Sequence, residues 1–267
     1  MPFDFFAGKT RAVIAMAHIG ALPGTPLHDP AGGMTRLIDN VLADIEKLQD
    51  GGVDAIMFGN ENDRPYVFRA PPEGIAAMTA VVQAVRPALR VPFGVNYLWD
   101  PVASVAIGAA TGAQFVREIF TGVFASDMGI WAPDCAGAAR LRHNLGRDEM
   151  KLLFNINAEF AHSLDQRPVA LRAKSAVFSS RADAVLVSGP ITGQPAERSD
   201  LQSVCEALRG VVPVFANTGV TIDTVGDILA IADGVIIGTH FKVDGDTWNP
   251  VDGARVRRFM DRVATLR

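Results

Sequence analysis

Two short passages in the last quarter of the chain end in groups that can hold an anion. Val212-Pro213-Val214-Phe215-Ala216-Asn217-Thr218-Gly219 and Asp233-Gly234-Val235-Ile236-Ile237-Gly238-Thr239-His240 are separated by one helix-sized gap. Each is a continuous apolar run, as expected of a strand buried on both faces. Each closes in small residues that let backbone N–H groups approach a ligand. Directed N–H donors suit a phosphate because they need no cation beside them. Asn217, Thr218, Gly219, Gly238 and Thr239 are therefore the candidate phosphate-binding residues, with the two threonine hydroxyls assisting.

The ends of the other apolar runs are polar as well. His18 follows the first, Asn60, Glu61 and Asp63 the second, and Asn96 and Asp100 the third. Arg117 and Glu118 close the fourth and Asn155 and Asn157 the fifth. Ser188 and Thr192 follow the sixth, and His240 and Lys242 lie just past the last. Glu61 and Glu118 are the candidate acid–base pair, with His18 as a third member. Asn96, Arg117, Asn155, Asn157 and Ser188 are the candidate substrate-binding side chains. Each has a structural alternative. Glu118 can be half of a structural ion pair, Glu61 a helix cap, and His18 a satisfied structural histidine. Asn155 and Asn157, two apart on one strand, either bind hydroxyls or bond each other.

Several chemistries lose ground. Lys151 stands at the wrong end of its strand and Lys174 in a helix, which leaves only Lys242 near a Schiff-base position. No HxH, HExxH, CxxC, G-x-S-x-G or Walker A motif occurs. His18, Glu61, Asp63, Glu118, His162 and His240 could supply metal ligands, so the sequence requires no cofactor and leaves a divalent metal open. A net charge of −4 without a basic stripe argues against nucleic acid. Apolar runs are strand-length, short of the roughly 18 residues of a membrane helix. The start, Met1-Pro2-Phe3-Asp4-Phe5-Phe6, has neither a basic region nor a cleavable apolar segment, so no secretory signal is expected. Its phenylalanines either seal the bottom of a barrel or meet a partner or membrane surface. Cys135 and Cys205 share no metal or redox spacing and read as reduced cysteines of a cytoplasmic protein.

Eight runs must position these groups: Ala12–Ile19, Ala55–Gly59, Pro92–Tyr97, Phe115–Ile119, Leu152–Asn157, Ala184–Gly189, Val212–Asn217 and Gly234–Thr239. Helical stripes lie between them, such as Leu37, Ile38, Val41, Ile45 and Leu48, or Val256, Phe259, Met260 and Val263. Helices end in Gly or a small residue just before the next strand, as in Gly51-Gly52-Val53-Asp54-Ala55. Strict βα alternation with apolar strands means a parallel sheet covered by helices. Over 267 residues, 49% apolar and 20% charged, eight units make an α/β fold: a single (β/α)8 TIM barrel spanning residues 1–267. Its phosphate site follows strands 7 and 8. The first strand leads into His18-Ile19-Gly20-Ala21-Leu22-Pro23-Gly24 rather than GxGxxG, which disfavours an open dinucleotide-binding sheet. Phe120–Pro133 reads as the longest unstructured connection, with glycine hinges and large apolar groups suited to a lid or a subunit contact. Its exposed apolar groups predict a homo-oligomer.

The motifs also resemble a family. Met16-Ala17-His18-Ile19-Gly20-Ala21-Leu22-Pro23-Gly24-Thr25-Pro26, Glu61-Asn62, Gly94-Val95-Asn96 and Thr121-Gly122 with Ser126-Asp127-Met128-Gly129 are similar to the BtpA/SgcQ family. So are Asn217-Thr218-Gly219-Val220 with Gly238-Thr239, and Lys242-Val243-Asp244-Gly245 followed by Asn249-Pro250-Val251-Asp252. The resemblance keeps motif order over essentially the whole chain. It implies a ribulose-phosphate-binding-type barrel; one branch is named for a role in photosystem I or membrane-complex biogenesis, and another is associated with sugar-uptake operons. Here Asn217-Thr218 replace the family's usual Gly-Ser, and the loop after strand 2 is shorter than usual. Residues and resemblance together lead to an expected enzyme on a phosphorylated sugar or related metabolite. Isomerisation, aldol cleavage and hydrolysis all stay open, with acid–base or metal-assisted chemistry. The alternatives are a non-enzymatic biogenesis factor for a membrane complex and a phosphometabolite-binding sensor.

Overall fold

Eight apolar runs become eight strands at the places expected, most of them trimmed by a residue or two at the ends. In the computed structural model, which describes residues 3–6 and 8–267 (Phe5 by its backbone only), they are β1 (Ala12–His18), β2 (Ala55–Gly59), β3 (Phe93–Asn96) and β4 (Phe115–Glu118). β5 (Lys151–Asn155), β6 (Ala184–Ser188), β7 (Val214–Asn217) and β8 (Gly234–Ile237) complete the set. Every strand pairs in parallel with the next, and β8 returns to β1 with Gly234 opposite Ala12, so the sheet closes into a barrel. After the strands come α1 (Gly33–Asp50), α2 (Pro72–Val85), α3 (Pro101–Thr111) and α4 (Cys135–Asn144). α5 (Val169–Ser180), α6 (Arg198–Leu208), α7 (Val225–Leu229) and α8 (Gly253–Ala264) follow in the same alternation. The chain has the (β/α)8 fold. Among the described residues, no helix is long and apolar enough to cross a membrane.

Side-chain alternation decides what each strand offers to the inside. Ile14, Met16, Met57, Phe115, Leu153, Leu186, Phe215 and Ile236 form an apolar plug within the barrel. The intervening residues, among them Val13, Ile56, Val95, Val116 and Val185, pack outward against the helices with Leu37, Val41, Ile45 and Leu48 of α1. Gly94 is small because Phe115 fills the barrel there: a Cβ would come 2.2 Å from the ring. Phe3 and Phe6 join the interior cluster, and the Phe6 ring lies 6.4 Å from Phe215, so these two phenylalanines close the bottom. The rest of that expectation, on Met1, Pro2 and the Phe5 side chain, lies outside the described residues.

One connection differs from expectation. Phe120–Pro133 is not unstructured: Phe124–Ser126 and Gly129–Trp131 form an antiparallel hairpin, and Ala161–Ser163 from the loop after β5 adds a third strand. Gly129, at φ 111°, opens the second hairpin strand, and Phe124 and Trp131 face each other across the pair. Both are buried with Trp99, Ile119 and Ala158 in a separate apolar cluster, while Ile130 on the other face is 75% exposed. Strands of three residues are too short for an alternation pattern to register, and the third comes from a different loop.

Past β8 the chain carries a buried lysine. Lys242 Nζ donates to Asp44 Oδ2 of α1 at 3.0 Å, and Asp44 Oδ1 accepts the Val251 N–H at 2.8 Å. This pair ties the segment after β8 to the first helix. Lys242 is thereby a structural cation, not a free amine.

Candidate functional site

Above the apolar plug, alternation puts His18, Gly59, Asn96, Arg117, Asn155, Ser188, Asn217 and Gly238 in the uppermost inward layer. Most of them line a mouth cavity of about 920 Å3, measured out into open solvent, with Met16 and Ile236 contributing to its lining from below.

The layer is hydrogen-bonded side to side. Arg117 donates through Nε to Asn155 Oδ1 (3.0 Å), through one terminal nitrogen to Asn96 Oδ1 (3.0 Å), and through the other to Glu159 Oε1 (3.2 Å). Ser188 Oγ accepts from the amides of both Asn155 and Asn217, each at 2.8 Å. Glu159 Oε2 accepts from Thr192 Oγ1 at 2.8 Å. A guanidinium with its donors directed at fixed acceptors is held in one orientation, so the belt forms a rigid polar floor. Glu159 is a residue that sequence reasoning missed. It lies four residues past the end of β5, where strand alternation no longer fixes which way a side chain points, and no sequence signal marks it. Burial raises its carboxyl, with Arg117 opposing.

Glu61 and His18 face one another. His18 Nε2 lies 3.7 Å from Glu61 Oε1, both side chains are nearly fully buried, and neither His18 Nδ1 nor Glu61 Oε2 has a hydrogen-bond partner. Gly59 makes room for this arrangement, since a Cβ there would sit 2.5 Å from Glu61 Oε2. Burial drives the histidine down to about 3, helped by the Lys242 charge and opposed by the Thr247 backbone and Asp44. Burial raises the Glu61 carboxyl, against the pull of its own backbone N–H, Arg117 and Lys242. The result is a neutral imidazole beside a carboxyl that holds its proton more tightly than usual.

Glu118 is more committed. Its Oε1 accepts the Asn96 amide at 2.7 Å and its Oε2 the Ile119 N–H at 2.5 Å. Burial pushes it up to about 8, against the opposing charge of Arg117 and these donors. The consequence for stability has a definite sign. From its ordinary 4.5 up to about 8 the unfolded chain has released this proton and the folded chain has not, so this group makes stability fall as pH rises through that window. Glu61, Glu159 and Asp63 shift in the same direction, so the informative quantity is a difference between proteins. In Glu118→Gln the fall of Tm between pH 4.5 and 8 is expected to be shallower than in the parent, read by thermal denaturation in matched buffers. Parallel slopes would show that Glu118 is ionised in the folded chain.

The loops after β6, β7 and β8 form the opposite wall. Thr218, at φ 65°, accepts the Gly189 N–H and donates to the Gln194 carbonyl, both at 2.7 Å, so its hydroxyl fastens the β6 loop. Gly219 has no room for a side chain: a Cβ would lie 2.2 Å from the Pro195 backbone nitrogen. Thr239 Oγ1 bonds Thr247 Oγ1 at 2.7 Å, and His240 Nε2 accepts the Ile222 N–H at 3.3 Å. Among the described residues, the backbone N–H groups of Gly219, Val220, Thr239 and His240 donate to no protein acceptor, and all four residues line the cavity.

Other residues of the sequence-derived ring have structural partners. Asn157 spans the end of β6, accepting the Ser188 N–H and donating to the Ser188 carbonyl, and it does not line the cavity. Asn60 and Asp63 bond each other and hold the backbone of Leu98 and Leu22. Asp100 caps α3. Among the described residues, no group of three or more His, Cys, Asp or Glu side chains could hold a metal ion.

Comparison with known proteins agrees with this architecture. A Mycobacterium tuberculosis tryptophan synthase chain superposes with a TM-score of 0.61 over 98% of this chain and 96% of its own, at 16% identity. A native KDPGal structure gives 0.57 over 95% of each chain, also at 16% identity. At such identities the likeness concerns the fold. Sequence relatives cover the whole length. The sgc-region protein SgcQ of Escherichia coli (strain K12) is 46% identical over 97% of both chains. The photosystem I biogenesis protein BtpA of a Synechocystis species is 29% identical over 94% of this chain and 88% of its own. With a model of the BtpA family matching residues 9–265, nearly every element described above falls inside the match, and the chain belongs to the BtpA family.

Proposed function

We propose that the chain is an enzyme acting on a phosphorylated sugar or related small metabolite through proton transfer, of isomerase, lyase or hydrolase type. The observation that carries this reading is the facing pair His18 and Glu61. Both residues line the same cavity as the four residues with unengaged backbone N–H groups, and each has a buried polar atom without a partner. A buried polar atom without a partner costs roughly 1–3 kcal/mol, and a bound molecule that supplies the partner recovers it. The phosphate rests on the amides of Gly219, Val220, Thr239 and His240, beside Asn217 and Gly238. Glu61 gives the proton to the bound molecule or takes it back, His18 stays neutral and hydrogen-bonds the reacting group, and Glu118 steadies Asn96 and the strand end. Arg117, Asn155, Ser188 and Asn217 orient hydroxyls over the floor, with Glu159 set against Arg117.

The test is a thermal-shift series with phosphorylated pentoses and hexoses, each beside its unphosphorylated parent, with and without a divalent metal. A ligand at 100 times its dissociation constant adds about 2.7 kcal/mol. A rise in Tm with a phosphorylated member and none with its parent supports the reading. No rise with any member, or equal rises within each pair, overturns it. A second reading, an assembly factor acting through its outer surface, takes its support from the name of the Synechocystis relative and from the exposed Ile130 of the small sheet. It predicts that Glu61 and His18 variants leave cellular function intact.

A further inference from the structure

The cavity has two chemically different walls. Across the floor from the unengaged amides stand Tyr66, Leu98, Trp99, Ile119 and Phe160, an apolar and largely aromatic surface. It is held in place from behind. Trp131 of the hairpin meets Trp99 edge-on at 5.1 Å between ring centres, Tyr66 tilts against Trp99 at 6.4 Å, and Phe68 stacks on Trp131 at 5.6 Å. The Tyr66 hydroxyl is engaged by the Glu61 carbonyl at 3.0 Å. Trp99 is 3% exposed, and its Nε1 has no hydrogen-bond partner.

A sugar phosphate alone fits only half of this. Its hydroxyls would be desolvated against the aromatic wall without partners, an unfavourable exchange. A planar ring loses little conformational freedom on binding and presents large apolar faces to such a wall. A ring nitrogen or carbonyl would also satisfy the buried indole N–H. We infer that the substrate is a phosphate ester that also carries a planar heterocycle, with the ring against the Trp99 wall and the phosphate on the β7–β8 amides. This rests on the phosphometabolite reading above and narrows it to nucleotide-like compounds.

Four probes separate the two claims by calorimetric titration: adenosine 5′-monophosphate, ribose 5-phosphate, adenosine and inorganic phosphate. The nucleotide is expected to bind about tenfold or more tightly than ribose 5-phosphate, the scale of one base–aromatic contact. Trp99→Leu should erase that advantage and leave ribose 5-phosphate affinity unchanged. Trp99→Phe, which keeps an aromatic ring behind the wall if the leucine variant fails to fold, should remove part of it. Equal affinities for nucleotide and ribose 5-phosphate, or an equal loss of both in the Trp99 variants, overturn the ring assignment while the phosphate reading stands. Binding of adenosine as tight as that of its phosphate overturns the phosphate reading and retains the ring wall. No binding by any probe overturns both.

Discussion

Glu61→Gln is expected to leave the fold and ligand affinity close to those of the parent and to lower turnover about 10²–10⁴-fold, the usual contribution of a positioned acid–base group. The substitution keeps shape and volume. Glu61 Oε2 has no partner to lose, and the neighbour at 3.7 Å is a histidine that burial keeps neutral, so no ion pair is broken. What disappears is the exchangeable proton. The measurement is kcat on whichever phosphorylated compound raises Tm, with the midpoint of denaturation as a control. Turnover at the parental rate in a folded Glu61→Gln protein would remove Glu61 from the chemistry. A loss of binding in step with the loss of kcat would make it a ligand-holding group instead.

Lys242→Met is expected to cost about 3–5 kcal/mol of stability, the scale for leaving one partner of a buried pair uncompensated. Lys242 is 2% and Asp44 7% exposed, so water cannot replace the missing ammonium. Asp44 would keep only the Val251 N–H as a donor. Urea denaturation gives the loss directly. Adding Asp44→Leu should restore most of it, because removing both charges also removes the unpaired one. A cost below about 1 kcal/mol would mean that the pair behaves like an exposed bridge. The same substitution removes a positive charge that helps hold His18 neutral, so the His18 titration should move upward.

Much of the barrel was legible because its strands are buried on both faces, and continuous apolar runs leave little else for Ala55–Gly59 or Ala184–Ser188 to be. The helical stripe of α1 was equally plain. The strand ends were also readable as polar, since residues such as Arg117 and Asn217 interrupt runs that are otherwise apolar. What they do with their polar groups was not. Asn155 and Asn157 have the same side chain two residues apart, yet one belongs to the floor and the other clamps the β6 backbone. That outcome depends on where β5 stops. Glu159 and Trp99 escaped notice because they lie past strand ends, where alternation no longer governs direction. The small sheet escaped because its three-residue strands come from two separate loops.

That shared sheet also constrains how the protein can be recombined. Ala125 pairs with Ile130 on one side and with His162 on the other, so the connections after β4 and β5 are registered against each other through one strand. Lengthening either one alone shifts a pairing that the other depends on, and it moves Trp131 away from Trp99. The loops after β7 and β8 share no such sheet. Chimeras between relatives must therefore exchange the segments around Phe124–Trp131 and Ala161–Ser163 as a single cassette, and the loop after β7 is joined to its neighbours by side-chain contacts instead, through Thr218 to the β6 loop and through Ile222 to His240.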